Sequence, residues 1–153
     1  MSKNLSKGDI LSKDKEEGWL YSDTVRDHFF NPRNIMKDED EAGFKADGVG
    51  MVGSPVCGDM MKVWIRVDKK TNRIKECKWR TFGCASAIAA TSIMSEMVTR
   101  NGGMALDEAK KITANDILKE LGGLPANKIH CSVLGDKALR AAIEDYLQKN
   151  RRT

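Results

Sequence analysis

The chain has 153 residues, a formal net charge of +4, 41% hydrophobic residues and 31% charged residues. This balance predicts a single soluble globular domain that is large enough for its own hydrophobic core. Lys and Arg are interleaved with Asp and Glu, which argues against a nucleic-acid-binding surface. No apolar run approaches the roughly 20 residues needed to cross a membrane.

Residues 1–18 are polar and rich in Lys and Ser, so we predict a tail there and one domain over residues 19–153. The N-terminus lacks the apolar stretch of a secretory signal, and its acidic residues, such as Asp9 and Asp14, are unlike a mitochondrial transit peptide. The expected location is therefore cytoplasmic. In that setting the four cysteines suit metal binding or catalysis better than disulfides.

The first half of the domain predicts one helix and then an antiparallel sheet. The helix covers about Trp19–Phe30 and ends at Asn31-Pro32, because proline disfavours helical geometry in the residue before it. Residues 33–45 are charged and are predicted to be irregular. Apolar and polar residues then alternate in the manner of half-buried strands. The predicted strands are Val49–Gly53, Met60–Val67 and Ile74–Phe82.

The second half is predicted to be helical, with glycines supplying the stops after two of the helices. The predicted helices are Ala85–Arg100, Leu106–Ile112, Ala114–Leu121 and Ser132–Lys149. A group of strands followed by a group of helices indicates an α+β domain in which helices pack on one face of a small sheet.

Cys57 lies in a loop-forming sequence and is followed by Gly58 and Asp59. Glycine permits a positive φ and the close approach of a ligand, and the Asp59 carboxylate can reach the same site. A carboxylate is a hard ligand beside soft thiolates, so a bond from Asp59 to iron is expected to be exchangeable. The structural alternative is a turn in which Asp59 bonds its own backbone.

Cys84 and Cys131 are each predicted to lie where a helix begins. Free N–H groups at a helix N-terminus lower the pKa of a thiol such as Cys84. Cys131 follows His130 just before the last predicted helix, with Lys128 nearby. Lys128 or a protonated His130 stabilises a thiolate, whereas a neutral His130 is a metal ligand or a proton acceptor. An inert buried Cys84 and a capping His130 are the structural alternatives.

Two further side chains have the chemistry of ligands but are predicted to be structural. Cys77 points with Trp79 toward the expected core from the middle of a strand, and a free cysteine often packs as a small hydrophobe. His28, on the first predicted helix, is expected to be a packing or surface residue rather than a metal ligand.

Cys57, Cys84 and Cys131 are far apart in sequence, so only the fold can bring them together, and several chemistries fit them. A Cys–His nucleophile explains one cysteine and leaves two unexplained. A structural zinc site with His or Asp fits the donors. An iron–sulfur site fits the same donors and also the small residues around them, which leave room for sulfides.

Three segments in order carry a resemblance to a known family: MVGSPVCGD at residues 51–59, TFGCASAIA at 81–89 and KIHCS at 128–132. Together with HFFNPRN at residues 28–34, they resemble the N-terminal family of IscU and NifU iron–sulfur cluster assembly scaffolds. The resemblance runs from about Tyr21 to Tyr146.

The resemblance implies a small antiparallel three-stranded sheet with helices around it, as in SufE- and NifU-like folds. It implies that Cys57, Cys84 and Cys131 hold a transient 2Fe–2S cluster, that Asp59 or His130 completes the site, and that zinc can bind the apo-protein. Asp59 is associated with cluster lability, and Cys131, tuned by Lys128, with acceptance of persulfide sulfur. The implied partners are a cysteine desulfurase, an electron donor such as ferredoxin and apo-protein clients. A second copy of the chain that shares the cluster is a further candidate partner.

Departures from the family pattern limit these expectations. The segment LPANK at residues 124–128 differs in its middle from the family's Leu-Pro-Pro-Val-Lys, which argues against a DnaK-type chaperone partner. His130 argues against the zinc-binding SufU branch, which lacks a histidine before the third cysteine. The rival functions are a zinc-bound sulfur acceptor that never holds a cluster, and a redox module in which Cys77 pairs with another thiol.

Overall fold

A computed structural model describes residues 22–53, 60–83, 85–123 and 130–151. The predicted tail over residues 1–18 lies outside the described residues. The strands are β1 (Gly48–Val52), β2 (Met61–Asp68) and β3 (Arg73–Thr81). The described helices are α1 (Asp23–Phe30), α2 (Asp38–Glu41), α3 (Ala85–Thr99), α4 (Leu106–Ala109), α5 (Ala114–Leu121) and α6 (His130–Arg151).

The three strands form an antiparallel sheet in the order β1-β2-β3. The alternation that predicted β2 is confirmed, because Met61, Val63, Ile65 and Val67 are all buried on one face. Trp79 and Cys77 of β3 pair with Val63 and Ile65 and are buried on the same face. The α+β class and the small antiparallel sheet are therefore confirmed.

Two glycines of β1 allow α6 to pack directly on the sheet. A Cβ placed on Gly50 would lie 2.3 Å from the carbonyl oxygen of Ala138, and one on Gly48 would lie 2.2 Å from that of Ala142. Backbone contact this close leaves no room for a side chain. The pairing of Gly48 with Ala142 and of Gly50 with Ala138 also sets the direction of α6, which runs antiparallel to β1.

Helix α3 lies in the middle of the molecule, between the sheet and α1. Eleven of its fifteen residues are buried, which agrees with its mostly apolar and small composition. On the sheet side the Thr91 hydroxyl lies 3.4 Å from Met61 Sδ. On the α1 side the Ser92 hydroxyl bonds to His28 Nδ1 at 2.7 Å and accepts from the Arg33 backbone N–H at 2.9 Å.

Two predicted helix starts are wrong, and a stretch that was predicted to be irregular contains a helix. Helix α1 begins at Asp23 rather than at residue 19, because the extended residue Ser22 caps it and accepts a hydrogen bond from the Val25 N–H. The stretch 33–45 is not wholly irregular, since α2 lies within it. Helix α6 begins two residues before the predicted Ser132, at His130.

In the part of the chain that the structure describes, no helix has both the length and the apolar character needed to span a membrane.

Candidate functional site

The predicted site residues fall into two groups. Cys57, Asp59, Cys84 and Lys128 lie outside the described residues. The backbones of His130 and Cys131 form the start of α6, so the prediction that they come just before the last helix is wrong. The described residues that border the predicted ligands are informative, because they fix where each ligand segment leaves and re-enters the fold.

Two of the ligand segments are bordered by one end of the sheet. Val52 pairs with Met61, and Met61 pairs with Thr81, so these three residues lie side by side. Residues 54–59 connect β1 to β2 at this end, and residue 84 follows β3 there. We call this edge, defined by Val52, Met61 and Thr81, the loop end of the sheet.

The N-terminus of α6 points toward the loop end. Because Gly48 lies against Ala142 and Gly50 against Ala138, moving along β1 toward Val52 corresponds to moving along α6 toward its first residue. An α-helix rises about 1.5 Å per residue and a strand about 3.3 Å. The first turn of α6, which contains His130 and Cys131, is therefore close to the end at which the other two segments leave the sheet.

Helix α3 also begins at the loop end. Its first turn lies against the residue that precedes Cys84, since a Cβ on Gly83 would lie only 2.7 Å from Ala87 Cβ. Further along, Gly135 of α6 lies against Thr91 and Met94 of α3. Two helix N-termini thus face the same end of the molecule. The first N–H groups of an α-helix have no partner within the helix, and they give its N-terminus a positive partial charge. Their combined potential favours anionic ligands such as thiolates.

Hydrogen bonds connect the borders of two ligand segments. The Thr81 hydroxyl donates to the carbonyl oxygen of Met60 at 2.9 Å and accepts from the Gly83 N–H at 3.0 Å. The Phe82 N–H also donates to Met60, at 3.2 Å. Met60 directly follows Asp59 in sequence, and Gly83 directly precedes Cys84. These bonds therefore join the borders of the two segments predicted to carry Cys57, Asp59 and Cys84.

Cys77 does not belong to the loop end. It pairs with Ile65 in the middle of the sheet, its side chain is buried, and burial raises the pKa of its thiol to about 12. A thiol with such a pKa is protonated near neutral pH and is a poor nucleophile. The prediction that Cys77 is structural is confirmed. Its burial in the middle of the sheet argues against the redox alternative, in which Cys77 pairs with another thiol.

His28 is a packing residue, as predicted. Only 4% of it is exposed, its Nδ1 bonds to the Ser92 hydroxyl, and its Nε2 lies 3.3 Å from Glu96. Burial is the main cause of a lowered pKa for His28, with a smaller contribution from Arg33. Within the described ranges, no group of three or more His, Cys, Asp or Glu side chains is arranged to hold a metal ion.

A family model described as the NifU-like N-terminal domain matches residues 20–153. The chain belongs to this family. The resemblance that rested on the three cysteine-containing segments and on HFFNPRN is thereby confirmed.

Several relatives of this NifU-like N-terminal domain are named for iron–sulfur cluster assembly. The scaffold protein IscU 1 of Archaeoglobus fulgidus is 53% identical over 131 residues, which are 86% of this chain and 79% of that protein. The scaffold protein IscU of Aquifex aeolicus is 46% identical and covers 86% of this chain and 79% of its own length. The mitochondrial iron sulfur cluster assembly protein 2 of Saccharomyces cerevisiae is 48% identical, with 85% and 80% covered.

Solved structures support the fold. A NifU-like N-terminal domain from Brucella abortus aligns with a TM-score of 0.61 at 18% identity and covers 84% of this chain and 94% of its own. A candidate SUF-system scaffold, SufU of Fervidobacterium islandicum, aligns with a TM-score of 0.57 at 22% identity and covers 80% and 96%. At these identities the likeness bears on the fold alone.

Two residues of this NifU-like domain were not singled out by the sequence. Thr81 joins the borders of two ligand segments, and the only sequence signal for this is a threonine two residues before a glycine N–H at a strand end. Ser86, in the first turn of α3, is fully buried, and its hydroxyl has no hydrogen-bond partner among the described residues. No periodicity distinguishes Ser86 from the other small residues of α3.

Proposed function

We propose that this protein is a scaffold on which a labile 2Fe–2S cluster is assembled and from which it is passed to apo-proteins. The observation that carries the proposal is the common location of the described borders: Val52, Met61 and Thr81 lie side by side, and the first turns of α3 and α6 face them. Family membership and the names of the relatives give independent support.

In this proposal the thiolates of Cys57, Cys84 and Cys131 are the cluster ligands, and Asp59 or His130 completes the site. Thiolates match the softness of iron in a sulfide cluster, whereas a carboxylate oxygen matches it poorly. A site with three strong ligands and one weak ligand holds the cluster but leaves one iron open to exchange. That property suits a protein that must give up its cargo.

The electrostatics at the loop end support an anionic cargo. The first turns of α3 and α6 direct positive partial charge toward it. The Ser86 hydroxyl is buried and unpaired within the described residues, and an unpaired buried hydroxyl costs about 1–3 kcal/mol. A sulfide or thiolate that accepts from Ser86 would remove this cost.

Sulfur delivery requires a donor and a reductant. We propose that Cys131 accepts sulfur from the persulfide of a cysteine desulfurase: its thiolate attacks the terminal sulfur, the S–S bond breaks and the donor thiolate leaves. Lys128 stabilises the Cys131 thiolate in this role. The transferred sulfur is at the oxidation level of S⁰, so two electrons from a donor such as ferredoxin are needed to form sulfide.

The proposal also covers the cellular location of the protein, its partners and its binding of zinc. The protein acts as a scaffold and sulfur acceptor rather than as a turnover enzyme, and it works in the cytoplasm with apo-protein clients. Two copies could share a cluster. A DnaK-type chaperone is not part of the proposal, because residues 124–128 depart from the family pattern. Zinc binding by the apo-protein is expected, since thiolate and imidazole suit zinc as well as iron.

Anaerobic reconstitution with ferrous iron, sulfide and a reductant tests the proposal. The wild-type protein should develop visible charge-transfer absorption and hold about two irons per site. Serine variants of Cys57, Cys84 and Cys131 should each fail to do so. The matched control is Cys77→Ser, which changes a cysteine outside the proposed site. A colourless protein that binds zinc tightly would instead favour the sulfur-acceptor alternative.

The persulfide step has its own test. After incubation with a cysteine desulfurase and cysteine, mass spectrometry should find the additional sulfur on Cys131, and Cys131→Ser should abolish it. Cys77→Ser should retain it, because the Cys77 thiol is buried and protonated. An equal loss in both variants would contradict the role of Cys131.

A further inference from the structure

We propose that Thr81 is a positioning residue for the cluster site, through a hydroxyl that holds the segment of Cys57 and Asp59 in register with Cys84. This inference rests on the proposed function and adds to it a residue that touches no ligand atom. It starts from the two hydrogen bonds of one hydroxyl group, to Met60 and to Gly83.

The geometry makes Thr81 the connection between two strand ends. Thr81 is the last residue of β3 and pairs with Met61, the first residue of β2. Its hydroxyl reaches back along β2 to the Met60 carbonyl oxygen at 2.9 Å and forward to the Gly83 N–H at 3.0 Å. One oxygen atom thus contacts the backbone on the site side of both strands.

The Thr81 hydroxyl is needed because the backbone stops pairing with the neighbouring strand after Phe82. The Phe82 N–H still bonds to Met60 across the strands, but the Gly83 N–H instead bonds to the Thr81 side chain. A side-chain oxygen that accepts this hydrogen bond in place of a carbonyl oxygen of the neighbouring strand fixes the turn that follows. Valine has nearly the same shape and a high strand propensity but can form neither bond.

Packing leaves the turn little freedom on its other side. A Cβ on Gly83 would lie 2.7 Å from Ala87 Cβ and 3.2 Å from the Thr81 hydroxyl oxygen, so Gly83 is enclosed between Thr81 and the first turn of α3. Only residue 84 separates Gly83 from Ala85, where α3 begins. The described backbone that borders residue 84 is therefore held by Thr81 on one side and by α3 on the other.

A shared cluster makes this positioning important. The segment of Cys57 and Asp59 leads into β2, and residue 84 follows β3. A rigid iron–sulfur core accepts only a narrow range of sulfur positions. Groups that orient ligands without binding the metal typically change metal affinity or activity about 10–100-fold when they are lost. We expect an effect at the lower end of that range, because the packing of Gly83 against α3 remains when the hydroxyl is lost.

The test compares Thr81→Val with Thr81→Ser. The valine variant keeps the shape but loses both hydrogen bonds, whereas the serine variant keeps the hydroxyl. The control is Thr99→Val, since Thr99 is also partly exposed and also donates to a backbone carbonyl, that of Ser95 at 2.7 Å, but at the opposite end of α3. Thermal unfolding of all three apo-proteins establishes that each variant is folded.

Four readouts measure the effect of each variant on the site. The visible circular dichroism of the reconstituted cluster reports ligand geometry, and the decay of its absorption reports lifetime. Competition with a chelator gives the zinc affinity of the apo-protein, and amide hydrogen exchange gives the protection of Gly83. Thr81→Val should alter the dichroism, shorten the cluster lifetime and weaken zinc binding by about tenfold, and remove the protection of Gly83. Thr81→Ser and Thr99→Val should match the wild type.

Two results would overturn the inference. One is a valine variant that equals the wild type in cluster dichroism, lifetime and zinc affinity. The other is a serine variant that fails in the same way as valine, which would assign the effect to packing. Failure of the proposed function is distinguishable: the wild type would then assemble no cluster, while zinc affinity and Gly83 protection would still separate valine from serine.

Discussion

The buried imidazole of His28 couples the packing of α1 on α3 to pH. Its pKa is lowered chiefly by burial and further by Arg33, while Glu96 and Asp27 act in the opposite direction. The folded protein therefore takes up a proton at His28 less readily than the unfolded chain. The stabilising contribution of neutral His28 is complete above its unfolded pKa and is lost as the pH falls through and below that value.

We predict that the free energy of unfolding falls between pH 7 and pH 5 with a component from His28. For one site this component is no steeper than about 1.4 kcal/mol per pH unit. His28→Gln should flatten the pH dependence, because the amide can replace the bond to Ser92 without titrating. Urea titrations of both proteins across this range measure the difference, and identical slopes would show that His28 does not titrate on unfolding.

The Asp59 carboxylate is predicted to control how long the cluster stays. In the proposed site it is the one hard ligand beside soft thiolates, or it brings water to the open iron. Asp59→Ala should therefore lengthen the lifetime of the reconstituted cluster, measured as the decay of visible absorption in air. Asp136→Ala is unsuitable as a control because Asp136 is buried and bonded to Arg140, whereas the exposed Asp107→Ala is suitable. A shorter lifetime in Asp59→Ala would contradict the role of Asp59.

Helix α6 and strand β1 are in direct backbone contact. Gly50→Ala would place a Cβ 2.3 Å from the Ala138 carbonyl oxygen and 2.4 Å from the Ala142 nitrogen. Backbone atoms cannot move aside as a side-chain end can, so α6 must shift. We expect a loss of about 1–3 kcal/mol in the free energy of unfolding, and weaker zinc binding because His130 and Cys131 move with α6.

Gly43→Ala is the matched control for Gly50→Ala. A Cβ there would meet nothing closer than 4.0 Å, and Gly43 does not have a positive φ. Replacing such a glycine by alanine typically leaves stability unchanged or raises it slightly, through the unfolded state. Chemical denaturation of the two variants makes the comparison. Equal stabilities would mean that α6 lies further from β1 than described.

The elements could be predicted wherever a local pattern determined them. Strand β2 followed from its alternation, and α5 ended at the glycine that caps it, Gly122, with φ of 81°. Helix α2 was missed because its four acidic residues have no apolar period. It contacts the sheet through ion pairs of Asp38 and Glu41 with Arg80 of β3, a residue that is distant in sequence. The start of α6 was missed because Ser132 is a good N-cap residue by type, yet the helix already includes it.

The sequence suggests candidate ligands for the proposed site, but it does not show which neighbouring residues hold the site segments in place. The cysteines could be named because motifs carry them, and Cys77 could be set aside because its strand position predicted burial. Thr81 could not be assigned, because its role depends on the register that pairs it with Met61 and brings the Met60 carbonyl oxygen within reach. The register between β2 and β3 is set by the folded structure, and residue spacing in the sequence does not predict it.

Across the whole molecule, the fold brings together the described borders of three segments that are distant in sequence. Residues 54–59 are bordered by β1 and β2, residue 84 by β3 and α3, and the third segment leads into α6. The sheet, α3 and α6 must all be in place before these borders meet. A ligand that binds all three segments therefore binds the folded state and not the unfolded chain, and this preference links metal binding to stability.

We predict that zinc, used as a probe of the three-cysteine site, raises the melting temperature of the apo-protein. Free zinc at a hundred times its dissociation constant adds about 2.7 kcal/mol to the folded state, which for a domain of this size corresponds to a shift of roughly 5–10 °C. Scanning calorimetry with and without zinc measures the shift. Cys131→Ser should reduce it strongly, because this change removes the proposed ligand that would link α6 to the sheet. Cys77→Ser lowers the starting melting temperature by disturbing the core but should preserve the shift. If zinc stabilised Cys131→Ser as much as the wild type, α6 would not contribute to the site, and the convergence of three segments on a common metal would be wrong.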